Sequence, residues 1–167
     1  MAADLGYNFF IVLSGTIENL RNQTANRLYN DVKDTRNLNW RLVDRPNLKN
    51  NTADHKISTF SLDENARDRY LTVCLKNKSR LENLIRWLYS DENKSRQLKI
   101  LVIDDEADQA SLNGYAYKNS QSDEWEEDEY TATYSSILKL RSSIPNHSYI
   151  QYTATPQGPL LISIMDR

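Results

Sequence analysis

The possible folds of this chain are limited most strongly by a run of four aliphatic residues that is followed directly by acidic residues. Ile100 to Ile103 are followed by Asp104, Asp105, Glu106 and Asp108. The run is too short to span a membrane and is typical of a strand buried on both faces of a parallel sheet. The four carboxylates would repel one another at the end of such a strand unless a cation or a basic group lay among them. Because oxygen ligands without nearby cysteine or histidine suit a hard ion, we expect Mg²⁺ shared with a substrate phosphate. The alternative is an acidic loop after an ordinary core strand.

Three further stretches have the pattern of strands. Together with Ile100 to Ile103, they predict a mostly parallel sheet with strands near Phe9 to Leu13, Tyr70 to Leu75 and Tyr149 to Thr153. Amphipathic segments between them predict helices on both faces, so the expected fold class is a three-layer α/β domain. We assign residues 1–167 to this single domain, with irregular insertions near 35–57 and 114–130. The acid-rich stretch from Asp123 to Glu129 reads as a solvated loop, and Leu160 to Ile164 as one more short strand.

Two helices have a defined start and a defined inner face. After a turn and cap at Ser14 to Thr16, helical spacing of Ile17, Leu20, Thr24, Leu28 and Val32 predicts an inner face, which places Asn19, Arg21 and Gln23 outside. The second helix follows a capping box formed by Ser79 and Glu82, and its inner positions are Leu81, Leu84, Ile85 and Leu88. This helix leads directly to the acidic strand and completes a strand, helix, strand unit.

Composition excludes several classes of protein. A net charge of −2 gives no support to a basic surface that would hold nucleic acid by itself. Cys74 is the only cysteine, so no internal disulfide forms, and its apolar neighbours predict a buried thiol. The sequence has neither a secretory signal pattern nor an apolar run of membrane-spanning length, so we expect a cytoplasmic protein without a membrane partner.

The letters D-E-A-D after four aliphatic residues resemble the Walker B element, or motif II, of superfamily 2 helicase-type ATPases. The resemblance implies that Asp105 is the magnesium carboxylate, Glu106 the base that activates the attacking water, and Asp108 a link toward a later motif. It assigns nothing to Asp104, because that position is often apolar in those enzymes. About 45 residues further on, Y-T-A-T-P resembles motif III, which gives Thr153 and Thr155 the role of coupling nucleotide state to domain movement.

A narrower resemblance covers most of the chain. G-T-I-E-N-L-R-N-Q-T, D-D-E-A-D-Q-A-S-L-N and Y-T-A-T-P occur here in the order found in the Z-one domain family, which is described as endonuclease-type and helicase-like. The first stretch is similar to motif Ia, which grips the nucleic-acid backbone, and this similarity implies nucleic-acid contacts by Thr16, Asn19, Arg21 and Gln23. The sequence departs from many relatives at Gln157 to Pro159.

One element of such an ATPase is missing from the sequence. The glycines are Gly6, Gly15, Gly114 and Gly158, and no G-x-x-x-x-G-K phosphate loop exists among the 167 residues. The resemblance therefore implies a partial RecA-like lobe of the phosphate-loop NTPase fold. In the intact protein this lobe would bind Mg²⁺, ATP and DNA or RNA beside a second RecA-like lobe, in a bacterial restriction or defence system. On its own the chain should bind nucleotide weakly and should not hydrolyse ATP.

Two other functions remain open. The chain could be a degenerate, non-catalytic RecA-like interaction module, which the missing phosphate loop favours. Direct nuclease chemistry by the four acids is less favoured, because the sequence identifies no lysine beside them. Since ligands of parallel sheets bind at the carboxyl ends of the strands, the ATPase hypothesis predicts that Ser14, Asp105, Glu106 and Thr153 lie along one edge.

Overall fold

The protein is described here from a computed structural model that covers residues 2–35, 37–49, 56–63, 65–105, 124–144 and 146–154. Within these residues the chain forms one five-stranded sheet in which every pairing is parallel. The strands, in chain order, are β1 (Phe9–Ser14), β2 (Asn39–Leu42), β3 (Asp68–Leu75), β4 (Ile100–Asp105) and β5 (His147–Tyr152). Their order across the sheet is β2-β3-β1-β4-β5.

Four α-helices accompany the sheet in the described part of the chain. They are α1 (Glu18–Lys33), α2 (Lys78–Leu88), α3 (Glu92–Gln97) and α4 (Glu124–Ser143), with short 3-10 helices at Ala2–Leu5 and Ile57–Thr59. None of the described helices is long and apolar enough to cross a bilayer.

Central strand β1 explains why the fold has three layers. All six of its residues are buried, since it pairs with β3 on one side and β4 on the other. Phe9, Ile11 and Leu13 belong to the core cluster that includes residues of α2 and α4. Phe10 and Val12 belong to the cluster beneath α1. Helices thus cover both faces of the sheet, which confirms the predicted three-layer α/β class.

The predicted irregular insertion at 35–57 contains a strand that the sequence did not indicate. Trp40 in β2 is buried, and its ring lies 5.0 Å from that of Phe10 between centroids. A four-residue edge strand with exposed Asn39 and Arg41 carries too little apolar pattern to be recognised. The strand forms because pairing with β3 and the burial of one indole compensate for a weak local preference.

The predicted solvated loop at 123–129 is also corrected over most of its length. Helix α4 begins at Glu124 and not near residue 134. Glutamate has a high helix propensity, so clustered acids do not by themselves indicate a loop. The rest of the proposed insertion, 114–123, lies outside the described residues, as does the predicted strand at 160–164.

The inner face of α1 agrees with the prediction at Leu28 and Val32, which pack against the core, but differs from it at the start of the helix. Ile17 and Leu20 are 58% and 54% exposed, whereas Arg21 and Ala25 are buried. The placement of Arg21 on the outer face is therefore wrong. Its guanidinium donates from Nε to the carbonyl of Val73 at 2.9 Å and forms an ion pair with Asp44. These polar contacts rotate the helix away from the facing that apolar spacing alone predicts.

Both helix starts also differ from the predicted caps. Helix α1 follows Ile17 without a side-chain cap, so the cap expected within Ser14 to Thr16 is absent. At α2 the cap is Asn77, whose Oδ1 accepts hydrogen bonds from the backbone amides of Ser79 and Arg80 at 3.0 and 3.4 Å. Asparagine is as good an N-cap as serine, and it precedes the predicted Ser79 by two residues. The four predicted inner positions of α2 are all buried, as expected.

Candidate functional site at the carboxyl edge of the sheet

Strands β1, β3, β4 and β5 end along the same edge of the sheet. In the strand register Ser14 lies beside Leu75, and Asp105 lies beside Tyr152. Asp105 and Thr153 therefore occupy adjacent strand ends, and Ser14 lies at the end of the neighbouring strand on the other side of β4, as predicted. Glu106, Asp108 and Thr155 lie outside the described residues, so their predicted roles stay predictions. Edges of this kind are where parallel α/β sheets bind ligands.

A buried ion pair holds the end of the acidic strand. The side chains of Lys76 and Asp104 are both 0% exposed, and Nζ of the lysine lies 3.1 Å from Oδ1 of the aspartate. The same Nζ donates to the backbone carbonyl of Asp105 at 2.7 Å. Removing two charges from water is costly, so the pair is tolerated only because each charge has a close partner. The cation that balances Asp104 is therefore the lysine ammonium and not magnesium.

Tyr149 completes this buried group from the neighbouring strand. Its hydroxyl donates to Oδ2 of Asp104 at 2.5 Å. Burial raises the pKa of the Tyr149 hydroxyl well above its ordinary value, and the negative charge of Asp104 and the hydrogen bond to it act in the same direction. Arg141 lies with its guanidinium 4.6 Å from the centre of the ring and partly opposes that shift. The phenol consequently stays protonated and serves as a hydrogen-bond donor.

Sequence reasoning missed the lysine in this group and left Asp104 without a role. The expectation that no lysine lies beside the acids is wrong, because Lys76 follows directly on β3 and reaches across β1 to β4. Its position immediately after an apolar strand was the available signal, since all parallel strands end at one edge. The presence of Lys76 does not support the nuclease hypothesis, because Lys76 and Asp104 have no solvent exposure and cannot contact a substrate.

Asp105 is the one predicted magnesium ligand that the structure describes. Its side chain is partly exposed at the strand end, so a hydrated ion can reach the carboxylate. Carboxylate oxygen suits Mg²⁺, which usually keeps several waters and takes one or two protein carboxylates. Within the described ranges no group of three or more histidine, cysteine, aspartate or glutamate residues converges on a metal position. The magnesium site therefore remains a prediction that rests on Asp105.

The four predicted nucleic-acid contacts divide into two sets. Thr16, Asn19 and Gln23 are exposed on the loop after β1 and on α1. Arg21 lies in the interior, where its hydrogen bonds and ion pair tie α1 to β3 and to Asp44. Three of the four residues are thus accessible to a ligand, and the fourth holds the helix that carries them.

The chain was compared with models of protein families, with curated proteins and with solved structures, and no match was found in any of the three comparisons. The function is therefore argued from the residues of this edge.

Proposed function

We propose that the chain is a RecA-like lobe of a nucleic-acid-dependent, helicase-like ATPase of the Z-one type, acting in the bacterial cytoplasm in a restriction or defence system. The observation that carries this proposal is the register of β4 and β5. Asp105 lies beside Tyr152, so the acidic stretch and the T-A-T stretch leave the sheet on adjacent strands at the edge where ligands bind. The described residues of the two motifs, Asp105 and Thr153, thus lie at adjacent strand ends although they are far apart in sequence, and this supports the proposal.

In this proposal the described residues have distinct tasks. Asp105 would hold Mg²⁺, which, when bound, neutralises charge on the transferring phosphate of ATP. Lys76 fixes the backbone from which that carboxylate projects, through its bond to the Asp105 carbonyl. Thr153 would couple this strand end to domain movement, together with Asp108 and Thr155. Thr16, Asn19 and Gln23 would contact DNA or RNA. The phosphate loop and the second lobe would come from other parts of the polypeptide.

The test concerns Glu106, the proposed base, in a polypeptide that carries this chain together with a phosphate loop and a second lobe. Glu106→Gln should lower DNA-stimulated ATP hydrolysis by about 100-fold or more, because a general base contributes on that scale. Nucleotide binding should change little, since the glutamine keeps the shape of the side chain. Glu92→Gln is the matched control, because Glu92 is an exposed residue of α3. Unchanged turnover in Glu106→Gln would refute the assignment.

One observation favours the second candidate, a non-catalytic interaction module. Strand β5 lies at the edge of the sheet formed by the described residues, where Ile150 and Tyr152 are 50% and 69% exposed, and its six residues, HSYIQY, include no lysine, arginine or acid. Edge strands usually carry charges that prevent pairing with other chains, as Arg41 does on β2. A module of this kind would bind a protein partner at β5 with no dependence on ATP. Partner binding that survives Glu106→Gln and does not respond to nucleotide would favour it.

A further inference from the structure

A cavity of about 420 Å³ opens beside the acidic edge. Its floor is formed by Val73, Cys74 and Leu75 at the end of β3. Its walls come from the first turn of α1, from α2 between Arg80 and Arg86, and from the loop that follows β2. Since β3 and β4 are separated by β1 alone, the floor lies two strand spacings, about 10 Å, from Asp105.

The walls of this cavity carry an excess of positive charge. Five basic side chains and one acidic side chain line it: Arg21, Arg45, Lys49, Arg80, Arg86 and Glu18. Arg21 is paired with Asp44, and Arg86 lies 3.6 Å from Glu82. Among the residues that the structure describes, Glu18 is then the remaining carboxylate for Arg45, Lys49 and Arg80. It lies 2.6 Å from the Arg45 guanidinium and 3.7 Å from that of Arg80. One carboxylate cannot neutralise three cations, so the cavity attracts a further anion.

The loop after β2 holds Arg45 in place. The residue has a φ of 48°, in the left-handed region that non-glycine residues rarely adopt. Asn47 fixes the turn, because its Nδ2 donates to the Arg45 carbonyl at 2.8 Å and its Oδ1 accepts from the Lys49 amide at 2.9 Å. A backbone strained in this way persists only where its surroundings determine it, as they often do at ligand sites.

The floor of the cavity does not oppose an anion. Val73 and Leu75 are apolar, and Cys74 is the one residue of the three that could become charged. Burial raises the pKa of the Cys74 thiol to about 12, so it is neutral at physiological pH. A tetrahedral anion would therefore meet guanidinium and ammonium groups at the walls and no negative charge at the floor.

We propose that this cavity binds a phosphate group, which Arg45, Lys49 and Arg80 contact in competition with Glu18. Guanidinium groups suit phosphate because their planar N–H groups pair with two oxygens at once. The phosphate is that of a nucleic-acid backbone or a free phosphate. Only the assignment to a backbone rests on the proposed function.

The experiment measures binding of two probes to the 167-residue chain without ATP at low salt. One probe is a fluorescein-labelled oligothymidylate of twelve nucleotides followed by anisotropy, and the other is inorganic phosphate followed by calorimetry. The double variant Lys49→Ala/Arg80→Ala should weaken oligonucleotide binding at least tenfold. It should also lower the slope of log affinity against log salt by about two, one for each lost phosphate contact.

Arg96→Ala is the matched control. Arg96 is 76% exposed and lies 3.8 Å from Glu92, as Arg80 lies 3.7 Å from Glu18, but it belongs to α3, just before the start of β4. It should keep affinity within twofold of the unchanged chain. Glu18→Gln should strengthen binding several-fold, because the competing carboxylate is gone. If the double variant does not fold, Glu18→Gln and the single variants Lys49→Ala and Arg80→Ala test the proposed phosphate site instead.

Each outcome is informative. Competition between the two probes, with both weakened by the double variant, supports a backbone phosphate. Binding of inorganic phosphate alone supports the site and removes the nucleic-acid assignment. The inference is overturned if neither probe binds, if Arg96→Ala weakens binding as much as the double variant does, or if Glu18→Gln weakens it. Because the binding assay needs no ATP, its result does not depend on the Glu106→Gln test. The proposed ATPase activity and the proposed phosphate site can therefore be refuted separately.

Discussion

At the scale of single residues, Lys76 is the basic group that the acids at the end of β4 were expected to need, and the magnesium expected at Asp105 stays a prediction. The lysine ammonium group lies among Asp104, the carbonyl of Asp105 and the end of β4, without contact with water. The attraction between buried charges is strong, but it offsets their desolvation only while both partners are present. The pair therefore contributes little to the free energy of unfolding, and its main effect is to determine which strand ends meet.

This reasoning predicts a strong coupling between the two charged residues. Lys76→Met should lower the free energy of unfolding by about 3 kcal/mol or more, because it leaves a buried carboxylate without its cation. The double variant Lys76→Met/Asp104→Leu should be more stable than Lys76→Met alone, since no uncompensated charge remains. Urea denaturation of the single and double variants measures the difference. Additive losses in the double variant would show that the two charges do not depend on each other.

The burial of Cys74 leads to a second prediction for a single residue, which concerns the free energy of unfolding at alkaline pH. Burial raises the pKa of the folded-state thiol from 9.0 to about 12, so above pH 9 the unfolded chain ionises first and is favoured. The contribution of the thiol is fully present below pH 9 and is lost as pH rises toward 12. The expected slope is about 1.4 kcal/mol per pH unit in that window.

Cys74→Ala separates the thiol from the other groups that titrate at alkaline pH. The variant should be less stable at neutral pH because it leaves a small cavity, but its stability should fall less steeply above pH 9. Urea denaturation between pH 8 and 10 compares the two proteins, and the tyrosines, which begin to ionise in this range, contribute equally to both. Parallel curves would show that the thiol is not protected in the folded state.

At the scale of elements, polar contacts decided how the helices are placed. Apolar spacing correctly identified the buried face of α2, where the four predicted residues lie in the core. In α1 it identified Leu28 and Val32, which pack against the core, but not the first turn, where Arg21 is buried and contacts β3 and the loop after β2. When the apolar stripe of a helix is weak, its strongest specific contacts determine which face of the helix is buried.

The start of α2 gives a prediction for this scale. Asn77→Ala should lower the free energy of unfolding by about 1 kcal/mol, because the amides of Ser79 and Arg80 lose the oxygen that accepts their hydrogen bonds. Ser79→Ala should change it by less than about 0.5 kcal/mol, as expected for an exposed residue that does not cap the helix. Chemical denaturation of both variants provides the measurement. A larger loss for Ser79→Ala would restore the capping box at Ser79 and Glu82.

For the whole molecule, the decisive question is how much of a nucleotide site the 167 residues contain. Without a glycine-rich loop and its lysine, triphosphate lacks the amide and ammonium donors that usually hold it. A hydrated Mg²⁺ ion on Asp105 alone should bind in the millimolar range, worth about 4 kcal/mol. We therefore expect ATP and Mg²⁺ at low millimolar concentration to raise the melting temperature by less than about 2 °C. A saturable micromolar affinity in calorimetry would contradict this expectation.

Continuous runs of apolar residues were enough to locate most of the strands before the structure was known. Four of the five described strands could be placed from runs of apolar, aromatic and β-branched residues. Phe9 to Leu13 and Ile100 to Ile103 are uninterrupted apolar runs in strands that are largely buried, whereas β5 is partly exposed. Their parallel arrangement followed from the intervening helix, and the common edge for Ser14, Asp105 and Thr153 followed from parallel strands.

Features that depend on contacts between residues far apart in sequence could be seen in the tertiary structure alone. Strand β2 exists because β3 offers a pairing edge and a place for Trp40. Arg21 turns inward because Val73 and Asp44 accept its hydrogen bonds. Lys76 and Asp104 meet across β1 although 28 positions separate them in sequence. Local patterns carry no information about such partners, because the energy of a buried polar group depends on what the fold places beside it.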